Sequence, residues 1–429
     1  MFAGDMVTHW NEVMMGMMRQ RTPAIGPTVA ARDMAVMDIA VFDAVNGIDG
    51  SYRSYLVKGN GPKGASAEAA AAQAAYRTLY WMFPTQQNAL LADLADSLSS
   101  LGNSYRVWQG VTWGEYVANR VIAARTGDGS DSNVQYLPGT APGQWQPDPL
   151  NPAQQAWGPG EGAVTPFVVK NTTQFLPPAP PKLSSAEYAA ALNEVESLGA
   201  KNSTTRTADQ TQIGQFWAYD HRGMGSPMVL YDQVVVTVAE QMHNSLVQNA
   251  RLFALEGLAN ADAGFTAWEA KYSYNLWRPI TAIRRANEDG NPATTADPNW
   301  VPLGAPGDGV VPDFTPPFPT YTSGHATFGG ATFEILKDFY GTDNIHFTLK
   351  SDELPGVTRT FTSFSQAAQE NGISRIYLGI HFSFDNIQGQ ASGRAVADYV
   401  MKHALQPVRE PRFAWPQLKR EGQKALSDR

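Results

Sequence analysis

The chain has 429 residues, 43% of them apolar and 17% charged, with a formal net charge of −8. This is ample material for a large buried core, and an acidic chain without a basic stripe excludes nucleic acid as a main partner. There is no cysteine, so disulfides, thiolate metal sites and a cysteine nucleophile are excluded as well. In chain order, runs rich in Ala, Leu, Met and Val predict helices over residues 5–20, 27–47, 66–82, 86–99 and 103–126, most of them separated by Gly and Pro. Composition then shifts. Residues 126–181 are rich in Gly, Pro, Gln and Asn, with eleven prolines between Pro138 and Pro181. Trp145, Trp157, Phe167 and Phe175 within this stretch predict an ordered wrap rather than a tether. Helices are expected again at 185–200, 206–218, 229–258 and 262–277. A second Gly/Pro loop, 287–321, leads to a helix starting near Ser323, and the last two runs are about 362–379 and 384–404. No alternating strand pattern, internal repeat or apolar run of 18 residues is present, so no transmembrane helix is expected. No secretory signal is evident, because Asp5 and His9 interrupt any apolar core. A cytoplasmic protein and a mature form of a secreted or periplasmic one both fit, and oligomeric state is not legible.

Three clusters carry the chemistry. Lys271 and Arg278 lie in KYSYNLWRP, Ser323, Gly324 and His325 in FPTYTSGHATFGG, and Arg375, His381 and Asp385 in SRIYLGIHFSFD. Together they offer three cations, two imidazoles, a hydroxyl and a flexible backbone donor, which suits a tetrahedral oxyanion such as phosphate or vanadate. Ser-Gly at a helix start adds backbone N–H groups and the positive end of the helix dipole. Taken singly, each cluster has an ordinary reading. Lys271 and Arg278, seven apart, would share a solvated helix face after two turns. His325 would be a polar first-turn residue, and His381 with Asp385 an i,i+4 surface pair.

The order, spacing and flanks of the three clusters resemble the vanadium-dependent haloperoxidases, within the wider superfamily of type 2 phosphatidic acid phosphatases. That pattern reads K-x6-R-P, then P-S-G-H, then S-R-x5-H-x3-D. This chain matches it except that Thr322 stands where Pro usually precedes Ser-Gly-His. Thr322 is expected to act as an N-cap there, with a looser turn. Residues 206–220 and 251–272, and the N-terminal stretch from HWNEV to GPTVAARDMAVMDIAVFDAVNGI, extend the resemblance over most of the chain. Trp268 and Phe318, at positions that flank the presumed halide pocket, point to the chloroperoxidase-like branch; algal bromoperoxidases have His at the Phe318 position.

The resemblance implies a mainly α fold of two four-helix bundles with long Gly/Pro-rich connections. It also implies one haloperoxidase-like unit over 1–429, made of N-terminal helices (1–126), the wrap (127–181) and site-bearing helices (182–429). It further implies vanadate bound by Lys271, Arg278, Ser323, Gly324, Arg375 and His381, with a His381 nitrogen as the metal ligand. Catalysis would fall to His325 as acid–base, to Lys271 polarising peroxide and to His381. Asp385 would support His381, and Asp220 in FWAYD would be a counter-ion for Arg375. The expected partners are hydrogen peroxide, halide ions and small organic acceptors: bromide and iodide oxidised, chloride within reach, and phosphate able to occupy the vanadate-free site. The rival reading is an acid phosphatase with His381 as nucleophile and His325 protonating the leaving group. A non-catalytic oxyanion binder is a third reading, and it has no use for two histidines.

Overall fold

The computed structural model describes residues 4–220, 223–306 and 315–408. Among these residues are thirteen α-helices and one short hairpin. The first five helices are α1 (Met6–Gln20), α2 (Pro27–Asp49), α3 (Ala67–Met82), α4 (Gln87–Leu101) and α5 (Tyr105–Arg125). After the long connection come α6 (Ala186–Gly199), α7 (Ala208–Phe216), α8 (Pro227–Met242), α9 (Leu246–Tyr274) and α10 (Pro279–Arg284). The chain ends with α11 (Gly324–Tyr340), the strands β1 (Phe347–Lys350) and β2 (Thr358–Phe361), α12 (Phe364–Tyr377) and α13 (Ser383–His403). In the N-terminal group α3 packs on α2, α4 and α5; in the C-terminal bundle α11 packs on α9, α12 and α13; α2 against α9 joins the two. The largest buried apolar cluster takes side chains from both groups, among them Trp10, Phe42, Leu255, Phe328 and Val396.

Two elements differ from the sequence reading. The expected break between residues 258 and 262 is absent, and α9 runs straight through it for 29 residues. Its Gly257 is there for contact rather than for a turn: a Cβ at that position would come within 3.0 Å of the Ala35 Cα on α2. The real break lies earlier. His243 closes α8 in the left-handed conformation (φ 53°), and Ser245 opens α9 in a capping box with Gln248. The antiparallel hairpin of β1 with β2 was not foreseen, because two four-residue strands are too short to show a period-two pattern.

The Pro/Gly-rich stretch lies against the helices and is fastened by buried carboxylates. Asp262 of α9 accepts from the backbone N–H groups of Phe167, Val168 and Val169 at 2.6–2.9 Å. Where the stretch leaves α5, Asp128 pairs with Arg32 and Arg125 at 2.8 and 2.7 Å. The Trp145 N–H donates to the Asn275 carbonyl and that of Trp157 to Pro317, at 2.9 and 2.8 Å. This ties the wrap to both loops that border the site. Part of the second loop, 307–314, lies outside the described residues. No helix among the described residues is long and apolar enough to cross a membrane.

Candidate active site

One end of the C-terminal bundle gathers two helix C-termini and two N-termini. Lys271 sits in the last turn of α9 and Arg375 in that of α12; Ser323 caps α11, and Asp385 lies in the first turn of α13. The N-termini bring positive dipole ends and unpaired N–H groups to the place where the cations converge.

Lys271 and Arg278 do not share a helix face. Asn275 ends α9 in the left-handed conformation (φ 52°), and Arg278 is the residue before Pro279 opens α10. Lys271 is fully buried. Its Nζ donates to the carbonyls of Pro319 and Thr320, each at 3.1 Å, and to that of Thr322. Burial, then Arg278, pushes its pKa well below the ordinary lysine value. Three carbonyls can only accept, however, so this cage holds the protonated form. Arg278 Nε donates to the Phe318 carbonyl (2.8 Å) and Nη1 to that of Ile380 (2.9 Å). Burial lowers the Arg278 pKa to about 9. Its Nη2 is buried without a partner among the described residues.

The N-cap of α11 is Ser323 and not Thr322: Ser323 Oγ accepts from the Ala326 N–H at 3.3 Å. Ser323 already has the short side-chain oxygen that a cap needs, so Thr322 is left one position outside the helix. A Cβ on Gly324 would stand 3.3 Å from the Trp268 ring, so glycine lets helix and indole approach closely. His325 is buried, and its Nε2 lies 2.8 Å from the Ala218 carbonyl. A carbonyl only accepts, so Nε2 carries the hydrogen and Nδ1 the lone pair. Burial, then Arg375, pushes the His325 pKa down to about 3, so the ring is neutral at ordinary pH. Its backbone carbonyl accepts from the Tyr231 hydroxyl (2.9 Å) and from Asn371 Nδ2 (2.8 Å). These two grips were not read from the sequence, where Tyr231 and Asn371 look like ordinary helical residues.

Arg375 forms an ion pair through Nη2 with Asp220, while its Nε and Nη1 are buried without partners among the described residues. His381 reaches the site through a tight turn after α12, made by Gly379 at φ 75°. A Cβ there would come within 2.4 Å of the Gly199 carbonyl, so both the conformation and the contact demand glycine. His381 Nδ1 lies 2.8 Å from Asp385 Oδ2 and 3.0 Å from Thr320 Oγ1, and Nε2 lies 3.0 Å from Arg278 Nη1. A guanidinium only donates, so Nε2 must hold the lone pair and Nδ1 the hydrogen. Burial, then Arg278 and Lys271, holds this imidazole well below the ordinary histidine range. Asp385 is raised to about 6 by burial, against which hydrogen bonds from Thr320 and the Phe382 N–H act.

Asp220, Trp268, Phe318, Gly324, His325, Arg375 and His381 line one narrow cavity together with Pro27, Pro227, Pro316 and Phe328. The rings of Trp268 and Phe318 are 5.0 Å apart, and Trp157 of the wrap packs edge-on against both, at 5.4 and 6.2 Å. Lys271 Nζ and the Arg278 guanidinium each lie 4.8 Å from the Phe318 ring centre, and neither they nor Ser323 line the cavity directly. The donors fit a small, multiply charged oxyanion. Among the described residues three buried guanidinium nitrogens lack acceptors, and the lone pair of the imidazole beside them accepts only from Arg278 Nη1.

A helical bundle that gathers cations and histidines at one end defines a class of oxyanion-binding enzymes, and comparison with known proteins narrows the class. A family model described as the VCPO second helical-bundle domain matches residues 251–410. The vanadium chloroperoxidase of Curvularia inaequalis is 31% identical over 468 residues, spanning 85% of this chain and 75% of the relative. The vanadium-dependent bromoperoxidase of Ascophyllum nodosum is 27% identical over 168 residues, 36% of this chain and 28% of the relative. Among solved structures, a bacterial vanadium-dependent iodoperoxidase superposes with a TM-score of 0.76 at 26% identity, over 94% of this chain and 96% of its own. A holo-type bacterial vanadium-dependent chloroperoxidase shares the fold, with a TM-score of 0.69 at 16% identity over 89% and 94% of the two chains. The chain belongs to the vanadium haloperoxidase family, oxidoreductases that act on peroxide.

Proposed function

We propose that this chain holds vanadate at the end of the C-terminal bundle and oxidises halide with hydrogen peroxide to hypohalous acid, which then halogenates small organic acceptors. The observation that carries the reading is the set of unpaired, buried N–H groups on Arg278 and Arg375 beside the lone pair of His381 Nε2. Buried donors without acceptors are costly and rare, and a multiply charged oxyanion supplies what they lack. His381 Nε2 is the metal ligand in this reading, its hydrogen bond from Arg278 Nη1 being exchanged for the metal. Arg278, Arg375, Ser323 and the Gly324 N–H hold the oxygens. Lys271 contributes charge, and its contact with a substrate oxygen requires one of its three carbonyl acceptors to be exchanged. When bound, vanadium(V) supplies Lewis-acid activation of peroxide without changing its oxidation state. His325, neutral and with its lone pair on Nδ1, takes the proton from hydrogen peroxide. Asp220 keeps Arg375 oriented, and Asp385 orients His381.

Trp268 and Phe318 form the halide wall. Bromide and iodide are the substrates we assign first. Chloride, the hardest to oxidise, depends on the electrophilicity that Lys271 imposes. Phosphate has the same shape and charge type as vanadate, so it occupies the same donors when vanadate is withheld. The test is a vanadate titration of the metal-free protein with excess peroxide. Bromination of a diketone and hydrolysis of an activated phosphomonoester are followed together. Bromination is expected to rise as the hydrolysis falls, with phosphate competing. Fast hydrolysis with no halide oxidation at any vanadate level would replace this reading with the phosphatase one. Activity on iodide alone would remove the chloroperoxidase-like assignment.

A further inference from the structure

Thr320 belongs to no family signature position discussed above, yet it touches three parts of the site. It is fully buried, its N–H donates to the Leu276 carbonyl (3.0 Å), and its own carbonyl accepts from Lys271 Nζ (3.1 Å). Its hydroxyl donates to Asp385 Oδ2 and stands 3.0 Å from His381 Nδ1. A threonine hydroxyl has one hydrogen. With that hydrogen on the carboxylate, the oxygen can only accept from the ring. Thr320 Oγ1 and Asp385 Oδ2 therefore form two acceptors around one N–H, and this fixes both the ring plane and the position of the proton. Arg278 Nη1, a pure donor 3.0 Å from Nε2, demands the same tautomer from the other side.

We propose that Thr320 is a positioning residue that, with Asp385, holds His381 in the Nδ1–H tautomer, so that Nε2 keeps its lone pair toward Arg278 Nη1 and the cavity. The hydroxyl also braces Asp385 together with the Phe382 N–H (3.1 Å), all on Oδ2, while the other carboxylate oxygen, Oδ1, is buried without a partner among the described residues. Through its carbonyl, Thr320 ties the Lys271 cage to the same turn, so the charge behind the cavity and the ligand within it are placed by one residue. The consequence for vanadate affinity rests on His381 being the metal ligand, as proposed above; the tautomer does not.

The test uses the full chain with isotope-labelled histidine, without vanadate. Nitrogen-15 NMR reads the protonation of each ring nitrogen, and the His381→Gln spectrum assigns the His381 signals. Wild type and Thr320→Ser are expected to show one tautomer with the hydrogen on Nδ1, whereas Thr320→Val, which keeps the shape and leaves only Asp385 and Arg278 to hold the tautomer, is expected to show a minor population with the hydrogen on Nε2. A mixture or the opposite tautomer in the wild type overturns the proposal without any variant, so poor folding of Thr320→Val cannot shield it. Equilibrium dialysis with vanadate is the second measurement. Loss of an outer hydrogen bond of this kind is expected to weaken binding about tenfold or more in Thr320→Val, with near-wild-type affinity in Thr320→Ser. Equal affinity in wild type and Thr320→Val sinks the positioning role and leaves the proposed function standing. A wild type with the expected tautomer but no vanadate binding sinks the proposed function and leaves the tautomer lock standing.

Discussion

Arg375→Lys isolates what the unpaired donors contribute, because it keeps the charge and removes the planar fork. In the structure Arg375 spends Nη2 on Asp220 and leaves Nε and Nη1 without acceptors at a cavity wall. A lysine can pair with Asp220 and direct at most one further N–H to an anion. The variant should therefore lose one charge-assisted hydrogen bond, about 2 kcal/mol, or roughly 30-fold in the vanadate dissociation constant. Thermal shift gives an independent readout. Vanadate at 100 times its dissociation constant should stabilise wild type by about 2.7 kcal/mol. For a chain of 429 residues this is a rise in Tm of about 3 °C. The same concentration should stabilise the variant by about 0.9 kcal/mol, a rise of about 1 °C. Equal vanadate affinity in both proteins would refute the reasoning, because the unpaired nitrogens would then not meet the anion.

Three further outcomes are expected. His381→Ala should abolish vanadate retention in equilibrium dialysis, since it deletes the proposed nitrogen ligand; wild-type affinity in the variant would remove His381 from the metal. His325→Ala should still bind vanadate but lose halide oxidation by about 10²-fold or more, the usual scale of a lost acid–base group, and full turnover would show that another group moves the proton. Glu256→Gln should flatten the pH dependence of stability. Burial pushes the Glu256 carboxyl up to about 7 from its ordinary 4.5. Its stabilising contribution is therefore complete below pH 4.5 and is lost as pH rises through 7, about 3 kcal/mol in all. Gln keeps the oxygen that accepts from Asn260 (2.6 Å) and Thr332 (2.9 Å). Urea unfolding at pH 4.5 and pH 8 should show the variant losing about 3 kcal/mol less than wild type between the two, and an unchanged slope would exclude the assignment.

The site was legible in sequence because its members are charged or polar residues at fixed local spacings. The six residues between Lys271 and Arg278 count a helix end, a left-handed Asn275 and a new N-terminus; read as an uninterrupted helix, the same spacing suggests a shared surface face. Thr320 escaped notice because threonine is common and its value lies in contacts with residues 61 and 65 positions away. Tyr231 and Asn371 act on His325 from 94 and 46 positions away, with no local pattern to mark them. The mainly α reading followed from composition and breakers, whereas the α8–α9 boundary failed because Gly257 and Asn260 look like a break. Their reason is tertiary: Gly257 admits α2, and Asn260 bonds Glu256 and Thr332.

The acidic chain and the cationic site are reconciled by where the carboxylates lie. Around the cavity, Lys271, Arg278 and Arg375 face Asp220 and Asp385, three cations against two acids, and the imbalance favours an added anion. Three more acids, Asp38, Asp232 and Glu256, are buried in the same interior. Ionised, they would cancel that excess through a medium of low dielectric constant. Burial and mutual repulsion instead raise Asp38 and Asp232 well above the ordinary range, and burial takes Glu256 to about 7, so all three hold their protons to higher pH than ordinary carboxylates do. The formal charge of −8 thus overstates the negative charge of the interior. Beside the site itself, burial and then Asp220 push the Glu353 carboxyl up to about 8, so it adds little negative charge next to Arg375. By the same argument, raising the pH until these carboxyls ionise should weaken anion binding as well as stability, even with every residue that touches the anion unchanged.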